Sequence, residues 1–480
     1  MVRLSKIGFE GFHFLKDILR VTKEQQRWIL SIATNGIQTR PQFDRTVSVR
    51  RLAWRCVISV IAGVRYPTGL IFFLGACAAS AWPETRPQYI FFHQAPGTVW
   101  NQGHPESFTP DAFNEIRDTI AAEPNSSLRI GVAFTFSILE TPTELLADSL
   151  RRLLAASEAS GVPVLVGLDG QNWWETRSDL WNWWDPSLPG YNPNNVNNVE
   201  WTGWAPSSAV KIGWRNWGSQ IRVRPAPNLA SPQFMAEHLD RYKVLVGIVA
   251  DWYRRLPADR KYLFGGLKIG WEASIGVNAF YYPDGNRYLE RWPEDPSHDP
   301  ITGFDPPKGL SGGLVQLGYA AVKTAGIKST GEITRSDIAT VVQRYLEQLC
   351  RAAYDLGIPR DMIFTHQGGT FAPWDQHLPF TAAFNEWSIP GWSFYALDPA
   401  RAGDLGFQLD KAGRRVWAAA EWWWGAPDAA AWKDHFERTL RFRDCRFICV
   451  YNWNSGFSFA NEDSGHEAVR EVAAGWKSGK

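Results

Sequence analysis

The sequence predicts an α/β chain whose strands close into a (β/α)8 TIM barrel with long insertions after strands 3 and 4, and three observations predict it. Apolar runs of strand length alternate with longer segments of helical period, the pattern of βα units feeding a parallel sheet. Eight such units fit between Trp82 and Lys480, the length of one barrel with enlarged loops. No repeat at solenoid spacing and no Gly/Ser-rich or charged linker divides that stretch. A doubly wound open sheet is the rival, because periodicity does not itself show closure.

The strands are expected at Tyr89 to His93, Leu128 to Phe134, Pro163 to Asp169, Phe264 to Glu272, Met362 to His366, Gly391 to Tyr395, Arg415 to Glu421 and Phe447 to Trp453. Helical segments follow them at Pro110 to Ala121, Pro142 to Ser160, Pro232 to Leu256 and Arg335 to Leu356. After a poorer stretch near Phe380 come Pro399 to Leu409, Asp428 to Phe442 and Gly465 to Lys477. Proline pre-sets the helical φ in the first turn and glycine tolerates the left-handed C-cap, so the Pro-led starts and Gly161 and Gly357 mark these boundaries. The largest insertions, Gly170 to Ala230 and Ala273 to Thr334, fall on the C-terminal face of a barrel, where ligands bind.

Residues 1–81 read as a basic N-terminal extension, and the domain proper as 82–480. The first 81 residues hold 12 Lys/Arg against 4 Asp/Glu, which leaves 38 basic and 45 acidic residues beyond them. That acidic remainder argues against nucleic acid as the partner. Residues 64–81 resemble a secretory signal: Arg65, an apolar run, then the small residues Ala79-Ser80-Ala81. This points to a secreted or periplasmic protein. Alternatively Leu74-Gly75-Ala76-Cys77 is similar to a lipobox, which would make Cys77 a lipid anchor and the protein a bacterial lipoprotein. A membrane span over Val57 to Ala81 is disfavoured by Arg65 and Pro67 in its middle. Val64 is a candidate initiator, with residues 1–63 upstream of it. Cys350, Cys445 and Cys449 remain after Ala81, too few for a disulfide scaffold and without metal-ligand spacing.

Chemistry gathers at the strand ends. Strand 4 ends in Trp271-Glu272 and strand 7 in Glu421, which places two carboxylates at one mouth. Such a pair serves glycosidic cleavage, one group protonating the leaving oxygen and the other attacking the anomeric carbon. His93 with Gln94, Asp169 with Asn172, and His366 with Gln367 add groups that can hydrogen-bond a polyol. The chain holds 26 Trp against 3 Met, and they crowd the first insertion: Trp173, Trp174, Trp181, Trp183, Trp184, Trp201 and Trp204. Pro, Gly and Asn around them give loop composition, so the set is expected to offer flat faces to a saccharide. Lys211, Arg215, Arg222 and Arg224 follow, interleaved with Trp214 and Trp217. They read as a solvated face or as recognition of an acidic sugar. Tyr281 to Asn286 has turn chemistry and would wall the leaving-group side. Metalloprotease, nucleophile-elbow and P-loop motifs are missing, so no cofactor or metal is expected.

On Glu272, Glu421 and their strands the chain resembles the clan A retaining glycoside hydrolases, over roughly residues 88 to 477. The resemblance implies a (β/α)8 barrel with Glu272 as acid/base and Glu421 as nucleophile, acting on a β-linked oligo- or polysaccharide. It also implies that Tyr395 hydrogen-bonds the nucleophile and that Trp453 floors the reacting sugar, with Asn452 and Asn454 beside it. An Asn usually precedes the acid/base in that group; here the neighbour is Trp271, which leaves the sugar 2-hydroxyl contact unassigned. The competing functions are a non-catalytic glycan-binding barrel and a polysaccharide lyase using His93 or His366. The sugar, the mode of attack and the oligomeric state are not written in the sequence.

Overall fold

The computed structural model describes residues 87–94, 99–122, 125, 127–211, 213–216, 220–279, 314–368, 379–396, 398–422, 426–451 and 462–477. Eight strands lie in it as a closed barrel: β1 (Gln88–Gln94), β2 (Leu128–Ser137), β3 (Val164–Asp169), β4 (Phe264–Ala273), β5 (Ile363–Gln367), β6 (Gly391–Phe394), β7 (Val416–Trp422) and β8 (Asp444–Val450). Their order around the wall is β1-β8-β7-β6-β5-β4-β3-β2, every pair parallel. Closure excludes the open doubly wound sheet. The expected start of strand 3 moves by one residue because Pro163 has no N–H for the ladder; its carbonyl accepts from Val132 N at 2.9 Å instead.

The wall is buried on both faces, and the side chains sort by the two-residue period of a strand. Ile90, Phe92, Val132, Val164, Val166, Leu267, Ile269 and Ile448 pack outward against the helices. Tyr89, Phe91, Ala133, Leu165, Phe364, Ala418, Ala420, Phe447 and Cys449 form a separate cluster that fills the lumen. Phe364 on β5 and Phe447 on β8, which are not neighbours in the wall, meet edge to face at 4.8 Å.

Helices cover the wall: α1 (Pro110–Ile120), α2 (Thr143–Ser160), α3 (Pro232–Arg255), α4 (Arg335–Asp355), α5 (Leu405–Lys411), α6 (Ala429–Arg441) and α7 (Glu462–Gly475). Side-chain caps start four of them. Thr109, Ser231 and Asp428 accept backbone N–H groups of the first turn, and Thr334 with Asp337 forms a reciprocal capping box. The stretch near Phe380 is only a 3-10 turn, Phe380–Ala383.

Both insertions carry a two-stranded ribbon, Gly213–Asn216 with Gln220–Val223 in the first and Val277–Ala279 with Leu314–Gln316 in the second. They are bonded to each other: buried Glu200 accepts from Gly318 N at 3.0 Å, Trp204 Nε1 donates to Gly331 O at 2.7 Å, and Asn228 Nδ2 donates to Thr324 Oγ1 at 3.0 Å. Cys350, Cys445 and Cys449 are free and buried. Among the described residues no helix is long and apolar enough to cross a membrane. The signal-like segment, Cys77, Tyr281 to Asn286, Asn452, Trp453 and Asn454 lie outside the described residues.

Candidate active site

Two bulges bring the carboxylates into one space. In the β4–β5 pairing Ile269 is opposite Thr365 but Ala273 is opposite Gln367, so β4 spends two extra residues before regaining register. The excess is absorbed by Gly270 at φ 81° and Glu272 at φ 54°. For a residue with a Cβ the left-handed region costs about 1–2 kcal/mol, a strain typical of residues held for function. The segment turns Trp271 and Glu272 into the mouth and returns Ala273 to the outer core. Gly368 belongs to the same device, because a Cβ there would lie 2.7 Å from the Cβ of Glu272.

Against β6 the register of β7 slips once: Trp392 faces Ala419, and Ser393 faces Glu421. Ala420 is left without a partner on β6, and the parity of the strand changes. Ala418 and Ala420 face the lumen, whereas Trp422, two residues on, packs outward on Phe436 at 4.8 Å. The slip lets Glu421 join Ala420 on the inner side.

Tyr395, one residue past β6, joins the two acids. Its hydroxyl is 2.5 Å from Glu421 Oε1 and 3.0 Å from Glu272 Oε1. Those two bonds laid end to end set a ceiling of 5.5 Å on the separation of the two oxygens. Trp271 Nε1 donates to Glu421 Oε2 at 2.8 Å, and Ser393 Oγ donates to Glu272 Oε1 at 2.8 Å. His366 Nε2 lies 2.9 Å from Ser393 Oγ and 3.9 Å from Glu421 Oε2. A hydroxyl has one proton, so when Ser393 donates to Glu272 the imidazole carries its hydrogen on Nε2.

Burial, and then the charge of Glu272, push Glu421 up to about 7, against the pull of Lys268 and the bonds from Tyr395 and Trp271. The push from Glu272 exists only while Glu272 is an anion. The phenol has a single proton, which the Glu421 and Glu272 oxygens compete for. The bonds from Tyr395 and Trp271 favour Glu421 as the anion. Burial and both carboxylates hold the Tyr395 phenol well above its ordinary range.

The polar side chains at the ends of β1, β3 and β5 are engaged with the protein. His93 Nε2 is 2.9 Å from Thr135 Oγ1, and its ring meets Trp271 edge-on at 5.2 Å. Burial, then the Lys268 charge, holds both His93 and His366 well below the ordinary histidine range, so both are neutral bases. Asp169 accepts from the backbone of Gln171 and Asn172, at 3.2 and 3.0 Å, and shapes the exit of β3. Asn172 Nδ2 donates to the carbonyl of Trp271, which ties that exit to the β4 bulge.

The tryptophan expectation needs correction. Trp174, Trp181 and Trp201 are buried, with their indole N–H groups on the carbonyls of Pro225, Trp174 and Val196. They are the core of the first insertion, and their faces are closed to a ligand. Trp173, Trp183, Trp184 and Trp204 are half-buried. Arg224 stacks on Trp181 at 4.6 Å and Lys211 lies over Trp183 at 5.7 Å, so these cations pack on indole as well as facing solvent. The side chains of Trp214, Trp217, Arg215 and Arg222 are outside the described set.

Sequence reasoning missed three residues of the site: Ser393, Tyr451 and Lys268. Tyr451, just past β8, lies 5.9 Å from the Tyr395 ring and is pushed above its ordinary range by burial and then the two carboxylates. Ser393 sits two positions before Tyr395, the spacing of one strand face, and Lys268 is a lone cation inside an apolar strand; both signals were legible. Among the described residues no group of three His, Cys, Asp or Glu side chains is placed to hold a metal ion.

No family model matches the chain, and no curated protein matches it. Solved structures do. A GH5-4 broad specificity endoglucanase from an uncultured bacterium is similar at 10% identity and TM-score 0.37, covering 77% of this chain and 85% of that one. A modular endo-beta-1,4-mannanase from Cellulomonas fimi is similar at 12% identity and TM-score 0.37, covering 80% and 70%. TcOYE with pHBA is similar at 9% identity and TM-score 0.36, covering 79% and 88%. Likenesses this distant leave the chemistry to the geometry of the site.

Proposed function

We propose that the protein is an exported glycoside hydrolase that cleaves a β-linked glycan with retention of configuration. The observation that carries this reading is the shared Tyr395, which holds the two carboxylate oxygens within 5.5 Å. Retaining sites space their carboxyls about 5–5.5 Å apart, whereas inverting sites open to about 6.5–9.5 Å to admit a water. The β-linkage is supported by the clan resemblance, and export by the signal-like segment 64–81.

The environments divide the roles. Glu421 is buried and takes donors on both oxygens, from Tyr395 and Trp271, so its anion is oriented and ready to attack. Glu272 is half-buried, takes its bonds on Oε1, and has Oε2 unbonded among the described residues. In the first step Glu421 attacks the anomeric carbon as the glycosidic C–O bond breaks, and the Glu272 proton goes to the leaving oxygen. In the second step Glu272 takes a proton from water, whose oxygen displaces Glu421 from the anomeric carbon.

The test is reducing-sugar release from plant, microbial and animal glycans by the parent, Glu421→Ala and Glu272→Ala. Both variants should lose release. Azide should restore turnover, giving an inverted glycosyl azide with Glu421→Ala and a retained one with Glu272→Ala. Saturable binding without release, unchanged in both variants, would replace the hydrolase by a glycan-binding barrel.

A further inference from the structure

Lys268 lies in the middle of β4 and is 1% exposed. Its Nζ donates to the carbonyl of Ala420 at 3.4 Å. β5 and β6 stand between β4 and β7 in the wall, so the stem crosses the lumen rather than running along it. Ala418 and Ala420 leave the room it occupies. The acceptor is the residue before Glu421, which sets the ammonium at the root of that carboxylate.

Every element around Glu421 adds a group, and their charges differ. β4 supplies Lys268, Trp271 and Glu272; β5 supplies His366; Tyr395 follows β6; Cys449 and Tyr451 come from β8 and its exit. His366 is neutral, as is His93 beyond it, and burial pushes the Cys449 thiol up to about 11. Among the described residues of this set Lys268 is the cation, and a buried ammonium needs an anion close by.

We propose that Lys268 is a positioning residue for Glu421: its ammonium, anchored across the lumen on Ala420, keeps the neighbouring carboxylate an anion that faces the mouth. The inference rests on the hydrolase reading for its kinetic consequence but not for its charge pairing, and the experiment separates the two. Lys268→Met keeps the stem without the charge, and Lys268→Arg keeps the charge.

The first measurement is a urea-unfolding cycle at pH 7 of the parent, K268M, E421Q and K268M/E421Q. Pairing predicts that the double variant is more stable than the two single losses imply, by tenfold or more in the unfolding constant. The second is kcat/KM against pH on whichever glycoside the parent cleaves. Loss of the cation raises the proton affinity of Glu421, so the acidic limb moves up by about one pH unit in K268M, a tenfold effect. In K268R it stays. Additive losses overturn the proposal, as does a limb that does not move, or K268M folding neither alone nor with E421Q. If the parent cleaves no glycoside, the hydrolase reading falls and the cycle alone decides the role of Lys268.

Discussion

Trp271 and Glu421, from β4 and β7, meet across the mouth with the indole Nε1 2.8 Å from Oε2. Trp271 is also the backbone neighbour of Glu272, so one residue fixes both carboxylates: the first through the chain, the second through a hydrogen bond. Where the clan that the sequence resembles carries Asn, Trp271 here orients Glu421, the proposed nucleophile. Trp271→Phe keeps a ring against His93 but removes the donor. A hydrogen bond to a charged group is worth about 1.5–3 kcal/mol, so kcat/KM should fall about tenfold to a hundredfold. Steady-state kinetics beside an unchanged circular dichroism spectrum would check it.

Tyr395→Phe removes the hydroxyl between the two acids. Glu421 loses a donor that pulls its pKa down, so the acidic limb of kcat/KM should move to higher pH while kcat drops by about a hundredfold or more. A pH–rate profile of parent and variant on one substrate decides it; an unmoved limb would mean that the phenol only packs.

Gly368→Ala tests the β4 bulge. The new methyl would stand 2.7 Å from the Cβ of Glu272 and 2.8 Å from its carbonyl oxygen, so the bulge must shift. A displacement of about 1 Å at Glu272, the proposed acid/base, costs on the order of a hundredfold in rate. The barrel wall itself is not asked to move. Activity should therefore fall far more than the melting temperature, which calorimetry on the same sample measures.

Glu200 gives a pH dependence outside the site. Complete burial pushes it up to about 8, despite backbone N–H groups from Trp201 and Gly318 that oppose the rise. In the unfolded chain it ionises near the ordinary carboxylate value. Its folded-state preference for the proton is thus without effect below about pH 4.5, and stability is lost as pH rises from there to about 8. Glu200→Gln cannot ionise, so its stability relative to the parent should climb across that window and level off above it. Urea titrations at pH 5, 6.5 and 8 would show the difference, and parallel curves would count against the mechanism.

How far the sequence reveals the fold and site depends on which physical signal is asked. A wall buried on both faces must be written in apolar runs, so the barrel strands and the carboxylates at their ends could be read directly. The bulges could not: Ala418-Ala419-Ala420 changes parity without changing composition, and nothing in that triplet says which alanine is extra. The tryptophans of the first insertion misled for a related reason. Asn195, Asn198 and Asn228 read as loop residues, yet they are buried and donate to the carbonyls of Asn182, Leu180 and Asn197. Side-chain amides do there what a ladder does in a sheet, which lets an irregular segment bury indoles.

Among the described residues the packed lumen closes off the carboxylate pair from one side. Tyr89, Phe91, Phe364 and Phe447 fill the lumen, and Lys268, opposite Phe364 in the register, reaches across it to Ala420. The described residues fill the lumen below Glu272 and Glu421, so on the proposed reading the sugar reaches them from the mouth, as water and protons do. If the proposed hydrolysis holds, a bound ring acts as its own lid: by arriving, it dries the chamber in which it is to be cut, and its departing half clears the doorway before the hydrolytic water enters.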